Sequence, residues 1–257
     1  MNGETIQSDG EIVQFPCLQD NYGFLVRDHA SGEVIAVDTP DADAILAALD
    51  ERGWPLTYIL NTHWHEDHVG GNLALKAATG ARVIAPAIEC TRIPGVDIAI
   101  GDGAVIFLGG LTIAAMATGG HTLGHLSYHI PRLNAVFVGD TLFVMGCGRI
   151  FEGSPGMMWE SLQRLAALPE ETKVYCAHEY AAANARFALT VDNGAETTDR
   201  ANDIFAMRDH GEPSVPTTIG IERRTNPFLH LPQIAGRGTE AEALRKFAEL
   251  MAHKDTF

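Results

Sequence analysis

The stretch His63-Trp64-His65-Glu66-Asp67-His68 puts three imidazoles and two carboxylates into six consecutive residues, directly behind the apolar run "YIL". Side chains of these types bind metal ions or move protons. Their spacing excludes a helix face. His63 and His65 are two apart, which on an α-helix turns them roughly 200° from each other, so they point together only in an extended segment. Asp67 and His68 are adjacent and diverge in either structure. The pattern predicts a loop that leaves a strand and enters the helix "GGNLALKAATG", with Glu66 as a first-turn residue facing solvent. An HExxH helix does not fit, because its histidines stand at i and i+4.

Three more residues repeat the arrangement. His121 follows "LTIAAMAT" through two glycines, Asp140 ends "AVFVGD" and His178 ends "KVYCAH". Each stands just past a short apolar strand, as His63 does, and strand ends along one sheet edge are where α/β proteins collect active sites. Five histidines and two aspartates exceed one tetrahedral zinc, which takes three or four protein groups. Two ions sharing one carboxylate would use all seven. Imidazole with carboxylate suits zinc, with iron or manganese as alternatives, and offers no soft thiolate site. Around them, His125 and His129 read as structural histidines. Asp38 of "AVDTP" is either a partner that orients a ligand histidine or a turn residue. "GDG" at 101–103 signals a hairpin turn, the glycines of "VGGN" and "TGGH" let the backbone turn tightly, and Trp64 reads as packing.

These residues need strands that end together. Candidates are "YGFLVRD", "EVIAVDT", "LTYIL", "ARVIAP", "AVIFL", "LTIAAMAT", "LSYHI", "AVFVGD" and "KVYCAH". Helices are expected at "DADAILAALDERG", capped by Asp41 or Asp43, at "GGNLALKAATG" and at "MMWESLQRLAALPE". Strands intermixed with helices indicate an α/β sandwich. After Tyr180 the character changes: "AAANARFALTVD", "DRANDIFAMRDHG" and "GTEAEALRKFAELMAHKDTF" have helical period, while "GEPSVPTTIG" and "RTNPFLHLP" read as Pro-rich loops. The boundary is placed near 180, giving a catalytic domain over 1–180 and a small, mainly helical domain over 181–257.

The bulk numbers narrow the function. A chain of 257 residues with 46% hydrophobic content can bury a real core. A formal charge of −15, from 18 Lys and Arg against 33 Asp and Glu, argues against nucleic acid, which needs a basic face. An anionic substrate must be held by a few local cations or by metal. No run reaches the roughly 18–20 apolar residues of a membrane span, and the N-terminus lacks the basic start and apolar core of a signal peptide. The expectation is a cytoplasmic protein, monomeric by default, with no membrane partner. Cys17, Cys90, Cys147 and Cys176 lie far apart without a CxxC pair and read as buried free thiols.

With Thr62 to His68 spelling THxHxDH, the sequence resembles the metallo-β-lactamase superfamily. More closely it resembles the glyoxalase II (hydroxyacylglutathione hydrolase) family. "FPCLQDNYGFLV", "GGHTLGHLSY", "VFVGDTLFVMGCGRIFEG", "VYCAHEY", "GEPSVPTTIGIERRTNPFL" and the terminal "KDTF" carry that likeness over almost the whole chain. The resemblance implies two mixed β-sheets packed face to face with helices outside, an αββα sandwich, plus a C-terminal helical domain. It implies that His63, His65 and His121 hold one metal, that Asp67, His68 and His178 hold the other, and that Asp140 bridges. It also implies glutathione contacts at Arg149, Tyr180 and Lys254. Three positions depart from the family: Phe151 stands where a second tyrosine is common, and Met251 and His230 where arginine is usual. Losing a charged hydrogen bond costs about 1.5–3 kcal/mol, so weaker glutathione binding or a shifted thiol preference is expected.

The implied reaction is hydrolysis of S-D-lactoylglutathione to D-lactate and glutathione. Two divalent ions with Asp67, Asp140 and a hydroxide leave a centre near +1, which suits attack on a thioester whose leaving group needs no strong acid. The alternatives are another thiol-ester hydrolase of this fold or a persulfide dioxygenase, which uses one iron and only part of the ligand set. A tRNA-processing nuclease is disfavoured by the charge, a β-lactamase by the C-terminal segment, and a metal-binding module without catalysis by the complete ligand set.

Overall fold

The computed structural model describes residues 3–6, 9–235 and 239–257. Met1, Asn2, Gln7 and Ser8 of the N-terminal segment, and Gly238 at the head of the last expected helix, lie outside them.

Seven strands build the first sheet, in chain order from edge to edge: β1 (Gly3–Ile6), β2 (Gly10–Cys17), β3 (Asn21–Asp28), β4 (Val34–Val37), β5 (Leu56–Leu60), β6 (Arg82–Pro86) and β7 (Val96–Ile100). β1 to β4 pair antiparallel, and β4 to β7 pair parallel, β4 to β6 through helical crossovers and β6 to β7 through a run of turns over 87–95. The crossovers are α1 (Ala42–Arg52) and the pair α2 (Glu66–Val69) and α3 (Asn72–Thr79). α1 starts where Asp41 accepts the Asp43 and Ala44 N–H groups at 3.0 and 3.1 Å, and it stops at left-handed Gly53. Val13, Leu25, Ala36, Ile59 and Val83 bury one face of the sheet against Ile45 and Leu49 of α1 and Leu75 of α3.

The other face meets a second sheet. It contains β8 (Val105–Leu108), β9 (Leu111–Ala117), β10 (Leu126–Ile130) and β11 (Ala135–Gly139), in an antiparallel meander. Phe24 of β3 and Phe137 of β11 stack edge to face, with centroids 5.5 Å apart. Strands covered on both sides read as continuous apolar runs, which is why most of them were legible; β1, β2 and β7 were not among the expected strands. The "GDG" turn is not a hairpin. It carries the chain from β7, at the edge of the first sheet, to β8, at the edge of the second.

The remaining elements are the two-residue strands β12 (Leu142–Phe143) and β13 (Gly146–Cys147), α4 (Pro155–Ala166), β14 (Lys173–Cys176), α5 (Ala181–Val191), α6 (Ala195–Asp209), β15 (Thr217–Thr218), α7 (Ile219–Thr225), α8 (Pro227–Ala235) and α9 (Glu240–Lys254). β14 and β15 pair antiparallel. Two compact units emerge from the packing, one of residues 1–117 with 123–139 and one of 118–122 with 140–257. Two mixed sheets and a helical C-terminal segment match the α/β class expected.

Two expected loops are partly regular structure. "RTNPFLHLP" is mostly α8: Pro227 opens the helix, where no N–H is needed, Asn226 Oδ1 accepts the Phe228 N–H at 3.0 Å, and Phe228 and Leu229 are buried. The end of "GEPSVPTTIG" forms β15 and the start of α7, capped by Thr218. Burial outweighs the proline signals in both. All four cysteines are free thiols, but Cys90 is only partly buried, because it lies in a surface turn after β6.

Candidate metal centre

In the first unit the histidine motif begins where β5 ends. Asp38 follows the neighbouring parallel strand β4 in the left-handed region, at φ 57°. Its carboxylate accepts the Thr62 N–H at 2.7 Å, the Thr62 hydroxyl at 2.8 Å and His68 Nδ1 at 2.9 Å. Asp38 is therefore the orienting partner, not a simple turn residue. With its proton on Asp38, the Thr62 oxygen accepts His63 Nδ1 at 3.0 Å. These bonds place the ring protons of His63 and His68 on Nδ1 and leave Nε2 as the lone-pair nitrogen of each.

Asp67 and His68 lie within the short helix α2 rather than in a loop, and Glu66 before them is exposed, as expected. The helix is pinned from several sides. Asn21 Nδ2 donates to Asp67 Oδ2 at 3.1 Å and Asn61 Nδ2 to the His68 carbonyl at 3.0 Å. Asn72 joins this network through Asn61 and the Thr39 hydroxyl at 2.8 and 2.6 Å. Gly71 is needed here because a Cβ would stand 2.9 Å from the Thr39 carbonyl oxygen. His125 is buried and stacks on the His63 ring at 4.9 Å, a structural role as expected. Trp64 packs near Val69, Ala85 and Ile93, with the Arg92 guanidinium 3.3 Å above its ring.

In the second unit His121, Asp140 and His178 converge. His121 Nε2 lies 3.4 Å from Asp140 Oδ2, and His178 Nε2 lies 3.4 Å from Asp140 Oδ1. His121 Nδ1 donates to the Arg149 carbonyl at 2.9 Å, which again leaves Nε2 as the lone-pair nitrogen. Gly120, at φ 136°, makes the turn that delivers His121, and a Cβ there would meet Met158 at 2.8 Å. His121 and Asp140 open onto a cavity of about 430 Å³. Arg149, Phe151, Tyr180 and Lys254 line the same cavity. Tyr180 stacks flat on His178, 4.7 Å away and 2° from parallel, and Phe143 meets its ring edge-on. Phe143, Cys147 and Asn184 complete much of the wall. Sequence reasoning did not mark these three, though the first two lie inside the quoted segment "VFVGDTLFVMGCGR".

Lys254 Nζ donates to the Cys147 carbonyl at 3.0 Å and lies 5.2 Å from the Phe228 ring. Desolvation lowers its pKa, as does neighbouring Arg149, against the opposing pull of Cys147 and Asp255. Met251 is 4% exposed and packs its sulfur against the Cys147 thiol at 3.4 Å, behind the cavity wall. His230 faces Asp192 at 4.0 Å and is not among the cavity residues.

His63, His65, Asp67 and His68 cluster in the first unit, and His121, Asp140 and His178 in the second. All offer imidazole nitrogen or carboxylate oxygen, the donors of a borderline to hard divalent ion. The thiols stay out of it. Burial pushes Cys17 and Cys147 up to about 12, and Cys176 higher still, so none is a thiolate at neutral pH. The donor set fits a pair of metal ions.

The profile of the metallo-beta-lactamase superfamily matches residues 24–178, and the profile of the hydroxyacylglutathione hydrolase C-terminus matches 179–257. A hydroxyacylglutathione hydrolase of Maricaulis maris (strain MCS10) is 52% identical over 251 residues, covering 96% of this chain and 98% of that protein. The chain belongs to the hydroxyacylglutathione hydrolase family. Among solved structures, ETHE1 from Myxococcus xanthus superposes with TM-score 0.66 at 24% identity, over 98% of this chain and 90% of that one. TTHA1623, solved in a di-iron-bound form, superposes with TM-score 0.62 at 26% identity, over 85% of this chain and 99% of that one. For a hydroxyacylglutathione hydrolase, the departures at Phe151 and Met251 differ in kind. Phe151 is 62% exposed at the cavity, beside the His121 ring, whereas Met251 is buried out of reach of solvent.

Proposed function

We propose that the chain hydrolyses S-(2-hydroxyacyl)glutathione, S-D-lactoylglutathione above all, to D-lactate and glutathione, the second step of methylglyoxal detoxification. One observation carries the reading: a single cavity joins the metal-competent pair His121 and Asp140 to the cations Arg149 and Lys254 and to the Tyr180 ring. A thiol ester with carboxylates at its far end matches that combination, and family membership supports it.

In this reading His63, His65 and His121 would hold one divalent ion, Asp67, His68 and His178 would hold the other, and Asp140 would bridge, a grouping supported by family membership and by the donor chemistry of the two clusters. Zinc is the proposed metal, with iron or manganese as alternatives; the donor chemistry admits all three. When bound, such ions bring the pKa of water toward ~7 and stabilise negative charge on a carbonyl oxygen. The chain does the positioning. Asp38, Thr62 and the Arg149 carbonyl hold the Nδ1 protons of His68, His63 and His121. Lys254 and Arg149 bind the carboxylates of the thiol half, and Tyr180 and Phe151 flank it. The thiolate leaves without a general acid. Two further parts of the reading are a catalytic domain over 1–180 with a substrate-binding domain over 181–257, supported by the meeting of the two family profiles at 178 and 179, and a cytoplasmic, monomeric protein. Its thiols are free, and among the described residues no helix is long and apolar enough to cross a membrane.

The test follows the loss of thioester absorbance of S-D-lactoylglutathione with and without a chelator, with metal content measured on the same sample. Rapid, chelator-sensitive hydrolysis at close to two metals per chain is expected, and Asp140→Ala should abolish activity and metal binding together. Full activity in Asp140→Ala would sink the two-metal scheme. A fully loaded protein without hydrolysis would point to another thiol ester.

A further inference from the structure

Besides the pairing of its two short strands, the turn between β12 and β13 is gripped by side chains from distant segments of the chain. Asn226 Nδ2 donates to the Phe143 and Gly146 carbonyls at 3.1 and 2.9 Å. Glu222 Oε2 accepts the Met145 N–H at 2.9 Å, Asn184 Nδ2 donates to the Val144 carbonyl at 3.0 Å, and Lys254 Nζ reaches the Cys147 carbonyl. Each of the five residues from Phe143 to Cys147 thus has a backbone group bound by a side chain at least 40 positions away in the chain. Met145 sits at φ 53°, a conformation that side chains other than glycine's rarely adopt. Something outside the turn must hold it there.

We propose that Glu222 and Asn226 are positioning residues for thiol-substrate binding: they hold the 143–147 turn, and with it the Phe143 and Cys147 wall of the cavity, without lining the cavity themselves. The inference rests on the thioester reading above. Glu222 is fully buried and meets donors only: the Met145 N–H, the Thr217 hydroxyl at 2.7 Å and Asn226 Nδ2 at 2.9 Å. A carboxylate, which only accepts, satisfies all three, whereas a carboxamide would turn an NH2 group on one of them. Burial raises the Glu222 pKa, and the bonds from Thr217 and Asn226 oppose that rise. Asp140 lies on the near side of a separate anchor. Thr141 Oγ1 donates to the Thr118 carbonyl at 2.9 Å, and the Gly148 N–H donates to the Thr141 carbonyl at 3.1 Å. Loosening the turn should therefore disturb the thiol pocket and spare the metal ligand.

The experiment uses metal-loaded wild type, Glu222→Gln and Asn226→Ala. Glutathione affinity is read by calorimetry, KM and kcat on S-D-lactoylglutathione, and metal content and melting temperature on the same samples. At least tenfold increases in glutathione Kd and in KM, with kcat and metal content within twofold of wild type, are expected. Folded variants with unchanged Kd and KM, whatever their melting temperature, overturn the proposal. So does parallel loss of kcat and metal, which marks a general structural role. If Glu222→Gln does not fold, Thr217→Val, which removes one donor to the same carboxylate, is judged by the same criteria beside Asn226→Ala. A wild type that neither hydrolyses the ester nor binds glutathione overturns the substrate reading and this inference with it. A wild type that turns over beside variants of unchanged affinity overturns this inference alone.

Discussion

At the scale of single residues, the decisive groups are those that choose which ring nitrogen carries the proton. Asp38 does this for His68. In Asp38→Asn the backbone survives, since asparagine tolerates a left-handed φ, but an NH2 group facing His68 Nδ1 would push the ring proton to Nε2. Metal affinity should fall about 10–100-fold, read by competition with a chromophoric chelator; unchanged affinity would reduce Asp38 to a turn residue. Lys254 makes a second prediction. Its pKa lies below the ordinary 10.5 because burial disfavours the ammonium. Between the lowered value and 10.5 the unfolded chain holds a proton that the folded chain has shed. In that window this group's contribution to stability rises with pH, while its hold on a carboxylate is lost. Glutathione affinity should decline with rising pH before free lysine titrates, and Lys254→Arg should not show that decline. Identical pH profiles would remove lysine titration as the cause.

At the scale of elements, parallel pairing of β4 with β5 puts Asp38 and Thr62 side by side although they are 24 residues apart. The same geometry joins Thr39, Asn61 and Asn72, which tie both strand ends to α3. Asn72→Ala leaves the Asn61 carboxamide and the Thr39 hydroxyl without that partner. The expected cost is about 1–3 kcal/mol, visible as a lower urea midpoint at an unchanged slope; an unchanged midpoint would mean that the network is dispensable. Most apolar strands and the helices with clear period were legible because burial and periodicity leave local marks, but the eight-residue β2 and the Thr218-capped α7 were missed. The two-residue strands β12, β13 and β15 leave no such marks, and α8 was hidden behind its prolines.

At the scale of the whole molecule, metal bound only by the native state stabilises by mass action, about 2.7 kcal/mol when free metal is a hundredfold above its Kd. For a chain of this length, at about 2–4 °C per kcal/mol, that corresponds to a shift of roughly 5–11 °C. Chelation should lower the melting temperature by at least this much, and metal should restore it. Coincident melting curves would argue against a metal that belongs to the fold. The charge of −15 works against an anionic substrate at long range. Arg149 and Lys254 at the cavity set positive charge against it locally.

The sequence by itself determined the chemistry: seven imidazole and carboxylate groups at strand ends and in one six-residue run, in a chain whose motifs also place it in its family. Such information survives without a structure because ligand type and local spacing are properties of neighbouring residues. Only the tertiary structure decided that Asp38 orients His68, that Phe143, Cys147 and Asn184 form the cavity wall, and that Glu222 and Asn226 grip a turn about 80 residues earlier. Those contacts depend on which distant segments the topology brings together, and no periodicity or spacing along the chain records that.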